Sequence, residues 1–179
     1  MPWNVEIKAR VADPRRVKPA VEVLSGKPAI VLRQEDTFFN TPHGRLKLRV
    51  LAPDRADLIY YEREDAPGPK PSDYTIFPTT DPATVKAVLS AALGVRGVVQ
   101  KIRRLYCVGQ TRVHLDDVVG LGTFLELEVV LQDGQSVDDG ARIARELLTR
   151  LGIPEADLVA QAYIDLLAGG SSGSLGGGA

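Results

Sequence analysis

The chain opens on strict alternation. Val5, Ile7, Ala9 and Val11 share one side of residues 4–11, and Glu6, Lys8 and Arg10 share the other, which is the period of a half-buried strand. Asp13-Pro14 then supplies a helix N-cap with proline at the first helical position. Val17, Val21 and Leu24 carry that helix to Gly26, which ends it. Further strands are expected over residues 30–39, 46–51 and 57–64. The run APGPKP over residues 66–71 is the clearest break. After it the order recurs: a strand over 72–77, a helix opened by Asp81-Pro82 and closed by Gly94, and strands over 97–108, 111–118 and 123–131.

Two more helices are expected, over residues 137–151 and near 158–167. In the first, Ile143, Leu147, Leu148 and Leu151 mark one apolar side. The chain thus reads as strand–helix–three strands, twice, which we take as a structural duplication in which the halves share no convincing sequence identity. The fold class is α+β: eight antiparallel strands curling into a closed barrel, with the helices at its periphery. Residues 1–168 form one domain with the APGPKP break as an internal loop, and the Gly/Ser-rich residues 169–179 have the composition of a flexible tail.

Composition changes this picture little. Apolar residues make up 44% and charged residues 25%, ordinary for a globular chain. The single Cys107 rules out an internal disulfide and suits a reducing compartment. The opening residues MPWNVEIKAR show no apolar signal-peptide core, so no leader is expected, and no run approaches the ~20 apolar residues of a membrane span. A cytoplasmic protein without membrane or nucleic-acid partners is expected, as monomer or homodimer. The net charge of −1 lacks the basic excess of a nucleic-acid binder.

Charge matters through its placement. Lys47 pairs with Arg49, Lys101 with Arg103, and Glu126 with Glu128, each at the two-residue spacing that puts both on one strand face. Glu6 and Lys8 share a face, as do Arg112, His114 and Asp116, and Arg63 lies on another strand. An amphipathic sheet with its polar side in water would also alternate. Yet Thr, Ser and Gln, common on solvated faces, are nearly missing from these positions. A sheet covered outside and curled inside must instead point its charges into a cavity, where they need partners. Alternate Lys and Arg match an extended triphosphate, and Glu6, Glu126 and Glu128 are hard oxygen donors for Mg²⁺ or Mn²⁺. Trp3, Phe38, Phe39, Tyr60, Tyr61 and Phe124 read as packing, and His43-Gly44 as a turn.

The segments V-E-I-K, L-K-L-R, K-I-R-R-L-Y, T-R-V-H-L-D-D and above all L-G-T-F-L-E-L-E resemble the CYTH superfamily of triphosphate tunnel metalloenzymes, across nearly the whole of residues 4–167. That family includes class IV adenylate cyclases, thiamine triphosphatases and inorganic triphosphatases. The resemblance implies an eight-stranded tunnel and a metal-binding pair at Glu126 and Glu128. It implies that Glu6 and Lys8 belong to an E-x-E-x-K signature, with phosphate-contacting cations at Lys8, Lys47, Arg49, Arg63, Lys101, Arg103 and Arg112. Asp116 falls near the family's tunnel acid. His114 falls where other members carry an acid, and reads equally as an ordinary strand histidine. Asn4 departs from the pattern by standing at the first signature Glu. Lys8 and Glu128 are the candidates for the catalytic step. Three activities follow: hydrolysis of tripolyphosphate or a small organic triphosphate such as thiamine triphosphate, cyclisation of ATP with release of pyrophosphate, or binding of such a ligand without turnover. We favour hydrolysis, because the sequence shows no purine pocket.

Overall fold

The computed structural model describes residues 4–62 and 70–170. Eight strands lie in one antiparallel sheet: β1 (Asn4–Arg10), β2 (Ile30–Phe39), β3 (Arg45–Ala52), β4 (Arg55–Glu62), β5 (Lys70–Thr79), β6 (Val95–Val108), β7 (Thr111–Val118) and β8 (Gly122–Val130). The sheet curls in the order β1-β5-β4-β3-β2-β6-β7-β8. β1 meets β8 along its whole length, from Asn4↔Val130 to Arg10↔Phe124. Its other edge meets β5 through the short seam Asn4↔Ser72, Val5↔Pro71 and Glu6↔Lys70.

Four α-helices flank the sheet: α1 (Pro14–Ser25), α2 (Pro82–Leu93), α3 (Val137–Leu151) and α4 (Tyr163–Gly170). Their ends follow local chemistry. The Asp13 and Asp81 side chains accept from Arg15 N–H and Thr84 N–H, and Ser136 and Asp139 form a reciprocal capping box. Gly26 closes α1 at φ +64°, a conformation that costs glycine nothing. No helix among the described residues is long and apolar enough to cross a membrane.

The alternation now has a physical meaning. Val5, Ile7 and Ala9 point outward into a core shared with Val113, Leu115, Leu125 and Leu127, which α1 and α3 seal through Val17, Val21, Ala144, Leu147 and Leu148. Burying this convex face leaves Asn4, Glu6 and Lys8 on the concave one. Gly140 permits the close seating of α3, since a Cβ there would lie 2.7 Å from both Val5 Cγ2 and Leu131 Cδ2. Gly140→Ala would add up to ~1 kcal/mol of helix propensity, but overpacking costs about 1–3 kcal/mol. Because Val5 is stiff and fully buried, we expect a net loss of about 1 kcal/mol in urea unfolding.

The last segment departs from expectation. A helix near 158–167 was predicted, but Leu158 instead makes a bridge to Ala9, and Val159 N–H donates to Lys8 O. Helix α4 starts only at Tyr163. The extended stretch holds the end of β1 and sets Ala162, Tyr163 and Ile164 against Phe38, Val99 and Phe124. Asp165 anchors the helix through Arg45 (2.9 Å) and Arg96.

Candidate functional site

The register of β7, β8 and β1 places the concave side chains in rows. Arg112, Glu128 and Glu6 are direct cross-strand neighbours, and so are His114, Glu126 and Lys8. The rows line a cavity of about 410 Å³, together with Lys47, Arg49, Lys101 and Arg103 from β3 and β6. All the expected site residues except two therefore face one space. Arg63 lies outside the described residues, and Asp116 is fully buried behind the cations.

Two buried aspartates organise the cations in the same way. Asp116 accepts from Lys101 Nζ at 3.2 Å and from Arg103 Nε and Nη2 at 2.7 and 2.6 Å. Asp36, which the sequence reading passed over, accepts from Lys47 Nζ at 3.0 Å and from Arg49 Nε and Nη2 at 2.8 and 2.7 Å. Each is a bidentate fork plus a lysine, and each Asp is the cross-strand neighbour of its Arg. The element order repeats along the chain, but this chemistry does not repeat with it. The Asp precedes its Lys-x-Arg in β2–β3 and follows it in β6–β7.

Charges in these clusters are shared unequally. Burial pushes the Asp36 carboxyl up, yet Lys47 and Arg49 outweigh it and hold the group far below its usual range. Asp116 behaves likewise: burial opposes ionisation, and Lys101 and Arg103 win. One carboxylate cannot neutralise two cations, so a lysine yields. Burial first, then Arg49, lower Lys47 to about 7. Between that value and the ordinary 10.5, Lys47 is neutral only in the folded chain, so its contribution to stability rises with pH across this window. An anion entering the cavity favours the protonated form. We therefore expect proton uptake on anion binding near pH 7–8 and weaker binding as the pH rises. Lys47→Arg keeps its charge and should flatten that dependence, as calorimetry in buffers of differing ionisation enthalpy would show.

The carboxylate side is equally engaged. Glu126 lies 3.4 Å from Lys8 Nζ and 2.6 Å from Arg103 Nη2. Burial raises it, but Lys8 and Arg103 bring it well below the usual carboxylate range. Glu128 accepts from Arg112 at 2.8 and 2.5 Å and from Asn4 Nδ2 at 2.5 Å. His114 stands between the two, 3.8 Å from each, and burial lowers its pKa. At 3.8 Å it is beyond the length of an ordinary hydrogen bond to either carboxylate.

Sequence reasoning also missed Tyr163. Its hydroxyl donates to Asp116 Oδ2 at 3.1 Å, and its ring stands 4.0 Å from Lys8 Nζ and 5.0 Å from Lys101 Nζ. Lys8 Nζ also donates to Gln161 O at 3.1 Å. The C-terminal segment thus sets the direction of two site lysines. Phe38 and Tyr61, read as packing, line the cavity, as does Tyr74.

The donor set suits a hard divalent cation. Glu6, Glu126 and Glu128 offer oxygen, and the buried Asn4 Oδ1 beside Glu128 has no hydrogen-bond partner. Among the described residues, however, no three His, Cys, Asp or Glu side chains converge as a ready-made metal cluster. Arg112, Lys8 and Arg103 now occupy the carboxylate oxygens and would have to share them.

Fold and interior together define an α+β protein built round a charged internal cavity. The CYTH-domain model matches residues 3–163, and the chain belongs to that family. It is 28% identical over 173 residues to the adenylate cyclase CyaB of Aeromonas hydrophila, covering 90% of this chain and 86% of that one. A solved protein from Pyrococcus horikoshii superposes with a TM-score of 0.80 at 26% identity, covering 91% of this chain and 98% of the other. An adenylyl-cyclase-like protein from Hippeastrum, described as having a dominant triphosphatase activity, shares the fold at a TM-score of 0.68 and 17% identity, covering 93% and 96% of the two chains.

Proposed function

We propose that this protein binds a triphosphate within its curled sheet, which serves as a tunnel, and hydrolyses it with Mg²⁺ or Mn²⁺. The two carboxylate-anchored Lys-x-Arg clusters carry this reading, because they open onto the same cavity as Glu126 and Glu128. A preorganised cation array binds a polyanion without first having to order long side chains. Lys47, Arg49, Lys101, Arg103 and Arg112 would take the phosphate oxygens, while Asp116 holds one fork from behind and Asp36 holds the other at the cavity wall.

Glu128, Glu126 and Glu6 would hold the divalent ion, with the amide of Asn4, which meets Glu128 through Nδ2, as a further oxygen donor next to Glu128. Bound there, such an ion would supply positive charge to offset that of the phosphate chain and would polarise a phosphoryl oxygen. Lys8 is assigned to the negative charge that builds on the phosphoryl oxygens. Glu128 is assigned to accept the proton of the attacking water as the bond to the leaving phosphate breaks. Asn4 brings an oxygen but no charge, which favours a single ion.

A second reading has its own support, since the Aeromonas relative is named an adenylate cyclase. There the ribose 3′-hydroxyl of ATP, in place of water, attacks the α-phosphorus and pyrophosphate leaves. Incubation with tripolyphosphate, thiamine triphosphate and ATP, each with Mg²⁺ or Mn²⁺, separates the two. Free phosphate supports hydrolysis, and cyclic AMP with pyrophosphate supports cyclisation. Binding without any product would overturn both in favour of a non-catalytic module.

A further inference from the structure

The carboxylate side of the cavity holds an imidazole among its oxygens. His114 on β7 is buried, lines the cavity and is the direct cross-strand neighbour of Glu126. Its two ring nitrogens face two different carboxylates. Nδ1 lies 3.8 Å from Glu126 Oε2, and Nε2 lies 3.8 Å from Glu128 Oε2. These gaps exceed a hydrogen bond. They match the spacing of two ligands on one ion, because metal–nitrogen and metal–oxygen bonds of about 2.0–2.2 Å set neighbouring ligands about 3–4 Å apart.

The two nitrogens differ in their surroundings. Both oxygens of Glu126 are held by cations, Lys8 at 3.4 Å and Arg103 at 2.6 Å. Glu128 has further oxygens beside it. Asn4 donates to it through Nδ2 while its own buried Oδ1 has no hydrogen-bond partner, and Glu6 is its cross-strand neighbour on β1. A carboxylate facing Nδ1 favours the tautomer with the proton on that nitrogen, which leaves the Nε2 lone pair toward Glu128.

We propose that His114 Nε2 and Glu128 share a divalent ion, and that this nitrogen makes the site take a borderline metal of the Zn²⁺ or Co²⁺ class in preference to Mg²⁺. The inference rests on the metal assignment in the reading above and narrows its cofactor. Carboxylate and amide oxygens hold Mg²⁺ chiefly through charge, and Arg112 on Glu128 offsets part of that charge. An imidazole adds little affinity for a hard ion and much for a borderline one.

The test follows ¹⁵N-labelled histidine rings of the full chain by NMR as Zn²⁺ or Mg²⁺ is added without triphosphate. The chain has two histidines, His43 and His114. His43 stands exposed between β2 and β3, and a His43→Gln spectrum assigns the signals. Zn²⁺ should move the Nε2 resonance of His114, and Mg²⁺ should leave it in place. In chelator competition, His114→Gln should weaken Zn²⁺ binding tenfold or more and Mg²⁺ binding less than threefold. Bound Zn²⁺ that leaves both His114 nitrogens unmoved, or equal losses of the two ions in His114→Gln, overturns the proposal and spares the glutamates as oxygen ligands. A chain that binds neither ion removes the metal assignment and this inference together.

Discussion

Asp116→Ala is expected to cost about 3–5 kcal/mol of folding stability, and a triphosphate is expected to return part of it. Asp116 is fully buried and meets Lys101, Arg103 and the Tyr163 hydroxyl. Removing it leaves two buried cations facing each other and Glu126 as their nearest counter-charge. Burying an ion unpaired costs more than the pair gained when intact, so the loss exceeds that of a surface salt bridge several-fold. A polyanion bound by the remaining cations supplies the missing negative charge. In urea unfolding the variant should therefore gain more from added tripolyphosphate than wild type does. A loss below about 1 kcal/mol, the level of an exposed pair, or an equal gain from ligand in both proteins, would show that Asp116 does not anchor the cation array.

Glu128→Gln is expected to lower metal-dependent turnover at least about 100-fold, equivalent to about 2.7 kcal/mol of barrier. The change keeps the shape of the side chain and one acceptor for Arg112 and Asn4, so stability should move by no more than about 1–2 kcal/mol. What disappears is the charge assigned to hold the cation and to accept a proton. Glu126→Gln should act in the same direction. It also releases Lys8 and Arg103, so its effect mixes metal with phosphate binding. Rates for Glu128→Gln within a few-fold of wild type, over a range of Mg²⁺ and Mn²⁺, would refute the metal assignment.

Much of this was legible in residue order because β1, β7 and β8 alternate cleanly. Val5 and Ile7 against Glu6 and Lys8 leave one choice of inward face once helices cover the other. The caps at Asp13-Pro14 and Asp81-Pro82 were equally plain. Asp36 was not. It follows Glu35, and two adjacent acids do not say which points inward. Register decides: Asp36 pairs across to Arg49, while Glu35 turns outward to Lys86 and Gln100. Tyr60 and Tyr61 pose the same ambiguity, and β5 adds Tyr74 and Ile76 from a strand with no charge pattern to flag them. Tyr163 was hidden for another reason. Its role depends on residues 158–162 running extended along β1, a tertiary contact that helical periodicity in that stretch conceals.

The placement of β1 between β8 and β5 has a consequence for synthesis. The first strand leaves the ribosome early, but its full-length neighbour lies more than a hundred residues later, at Gly122–Val130. At ~5–20 residues per second, β1 waits roughly 6–25 s with an open edge. An apolar strand with unmet backbone groups invites pairing with other nascent chains. Glu6 and Lys8, which later line the cavity, and Arg10 beyond them protect it in the meantime by keeping one of its faces hydrated.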